Sequence, residues 1–307
     1  MARFSSPLSE LYAAELRQAV QDNGFTALVG EFGAGKTHLM RGVKAAFEGQ
    51  SVVFVESSDL TDRRLTVASL LADVVRQLTT KGETPMRSLA ALSHQAVRIL
   101  GQATGGGRRV CLVVDDAHRL HPETLSALKR LRERDFAGRS PLLSVVLLGH
   151  TELADALAAR NEVGWRCDVL SLTEEHGWMT APERVRFLEA TYGDGITADA
   201  RTRIAALCTL PEQMVQMVRE KGREARRLGL DRINGDVVRP SLAELKDAIG
   251  GDASIRKIAA EAGVSPKVVH EAVHAGETNP HSEPVRAAME RIAARTQGTE
   301  PAARRAA

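Results

Sequence analysis

"ALVGEFGAGKTHLM", residues 27–40, decides the fold. Three apolar residues run into a glycine, two more glycines follow, and a lysine and a threonine close the series. Glycine loses the most backbone freedom on folding, so it weakens regular structure. Three glycines between an apolar run and the expected start of a helix mark a backbone that must stay clear of side chains. Gly30-Glu31-Phe32-Gly33-Ala34-Gly35-Lys36-Thr37 fits G-x-x-x-x-G-K-[ST]. The context fits too, with a short apolar strand, "FTALVG", before the pattern and a helix from Lys36 to Phe47 after it.

This pattern is a phosphate-binding loop with a chemical rationale. Several backbone N–H groups must meet phosphate oxygens at once, which only a loop with little side-chain bulk permits. The following helix adds its free N-terminal amides and the positive end of its dipole. Lys36 is expected to reach the outer phosphates and the Thr37 hydroxyl to hold Mg²⁺, so ATP and Mg²⁺ are the expected ligands. The nucleotide-contacting set is Gly30, Glu31, Phe32, Gly33, Ala34, Gly35, Lys36, Thr37 and His38. A second metal anchor is needed from a neighbouring strand. "VCLVVDDAHRL" (110–120) supplies it, with Asp115 as metal ligand and Asp116 placed to direct the attacking water. His118 and His121 lie close by in sequence, but nothing completes a metal set with them, and they read as loop and helix-entry residues.

Outward from the loop, apolar strands alternate with helices. Residues 8–22 have the apolar spacing of an amphipathic helix. Strands are expected at 51–56, 110–116, 142–150 and 167–172, and helices at 65–78, 88–100 and 122–134. "GQATGGGRR" (101–109) reads as a loop by composition. The strands are apolar along their length rather than alternating, which suits a parallel sheet covered on both faces. Helices are expected at 181–192, 198–208 and 211–228, a boundary at 229–240, a second helical group at 241–296, and a disordered tail at the end. Trp165, Trp178 and the Met214/Met217 pair read as packing residues, and Cys111 as inert core.

Composition limits the function classes. With 41 Lys+Arg against 39 Asp+Glu over 307 residues, bulk charge does not drive binding to polyanions. Three widely spaced cysteines do not make a disulfide framework. No signal core and no run of membrane-spanning length is visible, so a soluble cytoplasmic protein without membrane contact is expected.

On the glycine loop, "VVDDAHRL" and "LLSVVLLGHTEL", the chain resembles AAA+ ATPases over about residues 8–230. Within them it resembles the transposition-regulator branch of phage Mu B, TnsC, TniB and the ExeA-like ATPases. "GKTHL" is also similar to replication initiators and helicase loaders. The resemblance implies an α/β AAA+ core with a five-stranded parallel sheet over residues 1–180 and a helical lid over 181–238. A small all-helical domain at 239–296 and a disordered tail at 297–307 follow. It further implies a γ-phosphate sensor at His150, beside Thr151, where asparagine or glutamine is usual. An arginine from a neighbouring subunit is implied at Arg166 or Arg160, with Arg166 preferred, and Glu212 stands where the lid of such ATPases often carries an arginine.

"SIRKIAAEAGVSPKVVHEAV" (254–273) has the spacing of a helix-turn-helix, with Gly263 at the turn and Ser265-Pro266 opening the second helix. It resembles the DNA-binding head of LacI-type repressors. That places Ser265, Lys267, Val268 and His270 on a recognition helix, with Arg256 and Lys257 on phosphates. Glu271 on the same helix and balanced local charge fit a protein-contact bundle instead.

The expected function is a Mg²⁺-dependent, slow ATPase that oligomerises with ATP as a ring or filament, binds double-stranded DNA, and selects transposition targets or activates a transposase. The alternatives are a replication initiator or helicase-loader-like ATPase acting with another DNA-processing protein, and a protein-binding switch in signalling or phage defence without DNA.

Overall fold

The computed structural model describes residues 4–57, 65–79, 83–239, 242, 245–246, 253–275 and 279–298. The chain forms two compact units, residues 1–233 and 234–307.

In the first unit, helix α1 (Pro7–Gln21) starts at Ser6, whose hydroxyl accepts from the Ser9 amide while Ser9 Oγ accepts from the Ser6 amide. This satisfies two otherwise orphaned donors. Strand β1 (Phe25–Gly30) follows, then α2 (Lys36–Ala45), β2 (Val52–Ser57), α3 (Val67–Leu78) and α4 (Leu89–Gly105). Next come β3 (Arg109–Val114), α5 (Pro122–Arg132), β4 (Ser144–Gly149), α6 (Glu152–Ala158), α7 (Asn161–Gly164) and β5 (Asp168–Leu172). Helices α8 (Ala181–Tyr192), α9 (Ala198–Leu207) and α10 (Pro211–Arg227) close the unit.

The five strands form one parallel sheet in the order β2-β3-β4-β1-β5. Strands β1 and β4 are buried at every position, because helices cover both faces. The edge strands β2 and β5 are partly open. The architecture is the expected α/β fold with a parallel five-stranded sheet. Leu112, Val145 and Leu147 of the central strands sit in one apolar core with Leu70, Val74 and Leu100 of the covering helices.

The expected loop at 101–109 is corrected. Helix α4 continues to Gly105 and the chain enters β3 at Arg109, which leaves a connection of 106–108. The glycine at 101 is there for packing, since a Cβ would come 2.1 Å from the Phe136 ring. Composition alone mistook a close helix–ring contact for a chain break.

In the second unit, α11 (Ala253–Ala262) and α12 (Pro266–Ala275) are joined through Gly263, at φ 69°, and α13 (Ser282–Gly298) follows. Ile258, Ala259, Val269, Ala272, Val285, Met289 and Ile292 form its core. Most of the expected tail, residues 299–307, and parts of the 241–252 stretch lie outside the described residues.

Candidate functional site

Because all five strands are parallel, their C-terminal ends share one edge of the sheet. Adjacent strands β3, β4 and β1 deliver three segments there: Asp115-Asp116, His150 and the glycine loop. Sequence positions about 80 to 120 residues apart thus converge by topology alone.

The loop conformation depends on its glycines. Gly33 and Gly35 have φ of 83° and 92°, in the left-handed region that side chains disfavour. Gly35 is the residue from which α2 starts, leaving the helix's first amides facing the loop. A Cβ on Gly30 would come 2.9 Å from the Leu172 carbonyl oxygen, and one on Gly33 would come 2.6 Å from Glu212 Cβ.

Lys36 Nζ donates to the Gly30 and Glu31 carbonyl oxygens at 2.9 and 3.0 Å. Burial pushes its ammonium below the usual lysine range, while Asp115 and Asp116 pull it back up. Thr37 Oγ1 donates to Asp115 Oδ2 at 3.4 Å. The other Asp115 oxygen accepts from the Asp116 amide at 2.9 Å. Asp116 has φ 51°, a conformation uncommon outside glycine. It is exposed at the mouth of the site. His150 packs edge-on against His118, with ring centroids 4.7 Å apart.

These groups line a cleft of about 1040 Å³. Phe32, Gly33, Ala34, Gly35, Lys36, Thr37, His38, Asp115, Asp116 and His150 all contribute to it. Sequence reasoning missed the opposite wall. Ser9, Ala13 and Arg17 of α1 face the cleft at i, i+4 and i+8, while Tyr12, Leu16 and Val20 face the core. That second stripe was readable from the same helical period. Phe4 and Phe187, in an edge-to-face pair with centroids 5.5 Å apart, also line the cleft, and no sequence pattern announces them. Trp178 is buried, as expected, and also walls the cleft, where its indole Nε1 is buried with no hydrogen-bond partner among the described residues.

The residues fit a magnesium nucleotide. The loop is a cradle that a Cβ would fill, Thr37 and Asp115 form a hard oxygen donor pair, and a buried orphan N–H lies farther along the cleft wall.

Residues 17–157 match the AAA domain family. Among curated proteins no sequence matches the chain. The fold is that of the P-loop AAA+ ATPases. Cdc6p from Pyrobaculum aerophilum superposes with a TM-score of 0.63 at 15% identity, over 97% of this chain and 83% of that one. The Aeropyrum pernix ORC1 protein, solved in complex with DNA, gives 0.55 at 15% identity, over 96% and 95%. The Aeropyrum pernix ORC2 protein, solved as ADPNP–ADP complexes, gives 0.53 at 14% identity, over 96% of each.

Other expected site residues lie apart from this cleft. Arg166 Nε pairs with Glu133 Oε1 at 2.9 Å, and Arg160 Nη1 donates to Ser126 Oγ at 3.2 Å. Trp165 is corrected: it is 84% exposed and packs into no core of its own unit. In the second unit Ser265 Oγ accepts from the Val268 amide at 3.4 Å, at the start of α12. Arg256, Lys257, Lys267 and His270 are exposed. Lys267 lies 3.8 Å from Glu271, and His270 Nε2 lies 3.2 Å from His274 Nε2.

Proposed function

We propose that this chain is a Mg²⁺-dependent ATPase that assembles with ATP and acts on double-stranded DNA. The observation that carries the reading is the convergence of Lys36, Thr37 and Asp115 around the glycine loop at one sheet edge. Bound MgATP would supply the scissile phosphoanhydride and a divalent charge that offsets the negative charge on the transferred phosphoryl group and on the departing ADP.

The chain's own residues supply the rest. Lys36 leaves the loop carbonyls to neutralise the outer phosphates. Thr37 and Asp115 would hold the metal. Asp116 orients water and accepts its proton on a carboxylate oxygen. His150, at the end of β4, donates a hydrogen bond toward the outer phosphate. Arg166 of a neighbouring subunit completes the charge balance. Residues 181–238 form the lid over this site, and residues 239–296 form the DNA-contacting module through Ser265, Lys267 and His270, with Arg256 and Lys257 on phosphates. In the cell this ATPase selects target DNA and recruits or stimulates a transposase.

A second reading, replication initiation or helicase loading, is favoured by the near full-length likeness to Cdc6p and the ORC proteins. Both readings share the ATPase chemistry and differ in the partner. The test is DNA binding by the purified chain without nucleotide, with ADP and with a non-hydrolysable ATP analogue, while particle size is followed. ATP-dependent assembly on duplex DNA, lost in Lys36→Ala, supports the proposal. Nucleotide-driven assembly with no DNA affinity at moderate salt overturns the DNA part and leaves a protein-directed switch. Stimulation of a transposase, against stimulation of helicase loading, separates the two DNA readings.

A further inference from the structure

The P-loop cleft is walled on one side by the start of α10, and the residue in contact there is an acid. The Glu212 amide donates to the Gly33 carbonyl oxygen at 3.3 Å. The Glu212 Cβ lies so close to Gly33 that a Cβ on the glycine would come within 2.6 Å of it. The stem of the side chain is thereby fixed on the phosphate-binding loop, and the residue lines the same cleft as Lys36 and Thr37. Its Oε1 accepts from Gln216 Nε2 at 3.2 Å, and it makes no ion pair among the described residues.

The charges around the cleft make this acid matter. Its basic and acidic lining residues are Arg17 and Lys36 against Glu10, Asp115, Asp116 and Glu212. In the reading above, Asp115 is offset by the metal and Asp116 acts on water. Glu212 has neither a metal nor a proton to handle in that reading; its backbone and aliphatic stem rest on the loop, its carboxylate accepts from Gln216, and the residue lines the cleft. A like charge on the cleft wall repels a bound polyphosphate, and the repulsion grows with the charge of the ligand. A triphosphate carries more charge than a diphosphate and is opposed more strongly.

We infer that Glu212 is a nucleotide-discriminating residue: it weakens the hold on ATP, and weakens it more than the hold on ADP. This rests on the nucleotide-site reading above. Docking and charge are separable, because the contact with Gly33 is made by the backbone amide and the aliphatic stem, both of which glutamine shares. Glu212→Gln keeps the amide, the size and the reach to Gln216, and removes only the charge.

The test is calorimetric titration of the full chain with MgATP and, separately, MgADP, for wild type, Glu212→Gln and Lys36→Ala, with thermal melting as a check on folding. Stopped-flow displacement of bound nucleotide gives the release rate. The inference expects Glu212→Gln to bind MgATP at least tenfold tighter and MgADP tighter by a smaller factor, with slower release. Affinities within twofold of wild type, or weaker, overturn it. If wild type binds MgATP, Lys36→Ala does not, and Glu212→Gln changes nothing, only the role of Glu212 falls. If wild type binds neither nucleotide, the nucleotide-site reading fails and this inference fails with it.

Discussion

Lys36 and Asp116 line the same cleft, and the proposed function gives them separable parts, binding and hydrolysis. Lys36 is the cation nearest the loop carbonyls, so Lys36→Ala should lower MgATP affinity at least tenfold in titration, with the melting temperature unchanged within about 2 °C. Asp116 is different because its backbone is left-handed, at φ 51°. Asparagine tolerates that conformation, so Asp116→Asn keeps the loop shape while removing the proton acceptor. We expect it to bind MgATP like wild type and to hydrolyse it about 10²-fold more slowly, read as phosphate release. His118 contributes a pH dependence. Burial, and then the nearby His150, hold its imidazole below the usual histidine range. A depressed histidine is destabilising once protonation is forced. Its stability contribution is therefore full above the unfolded value of about 6.5 and falls as pH drops through that value toward the folded one. Melting between pH 7.5 and 5.5 should fall more steeply in wild type than in His118→Gln.

At the scale of elements, the contact between α4 and Phe136 carries the most direct prediction. Gly101 sits in mid-helix, where glycine costs about 1 kcal/mol relative to alanine. The ordinary expectation for Gly101→Ala is therefore stabilisation. Here a methyl group would come 2.1 Å from the Phe136 ring, so overpacking should win. We expect a net loss of about 1–3 kcal/mol in denaturant unfolding, relieved in the Gly101→Ala/Phe136→Leu double variant. Cysteine behaviour follows from the same packing. Cys111 lies in β3 and Cys167 just before β5, and burial pushes both thiols up to about 12. The reactive thiolate is essentially absent at pH 8. Alkylation of the native protein should therefore leave both unmodified, and unfolding should expose them.

For the molecule as a whole, the parallel sheet decides what Arg166 is able to do. Strand β5 pairs with β1 from Thr26↔Asp168 to Gly30↔Leu172. Arg166 precedes the start of β5, whereas the phosphate loop follows the end of β1. The two therefore lie at opposite edges of the sheet, separated by about 17 Å of strand. Arg166 is out of reach of the cleft of its own subunit, and in the proposed function it acts across a subunit contact. Arg166→Ala should leave the MgATP affinity of dilute protein unchanged and lower hydrolysis by 10²-fold or more where the protein is assembled. Equal rates in assembled wild type and variant would remove the arginine from the site. The DNA part of the proposal belongs to the same scale: Lys267→Ala with His270→Ala should weaken duplex binding and shallow its salt dependence, read by titration at two ionic strengths.

The local rules read well from sequence alone. Glycine spacing announced the loop between β1 and α2, apolar runs announced the five parallel strands, and a carboxylate pair after an apolar strand announced Asp115 and Asp116, which line the same cleft as the loop. Each of these signals is local, because it is written in residues that touch one another or share one strand. Tertiary structure decided everything that depends on elements distant in sequence. It set the strand order that brings Asp115 and His150 to the loop, and it gave α1 a second face on the cleft. It seated the Glu212 amide on Gly33, and it turned Trp165 out to solvent. It also extended α4 through its glycines, because the ring that needs the space, Phe136, lies 35 residues further along the chain. Periodicity reports which face of an element is apolar, whereas only packing reports what that face meets.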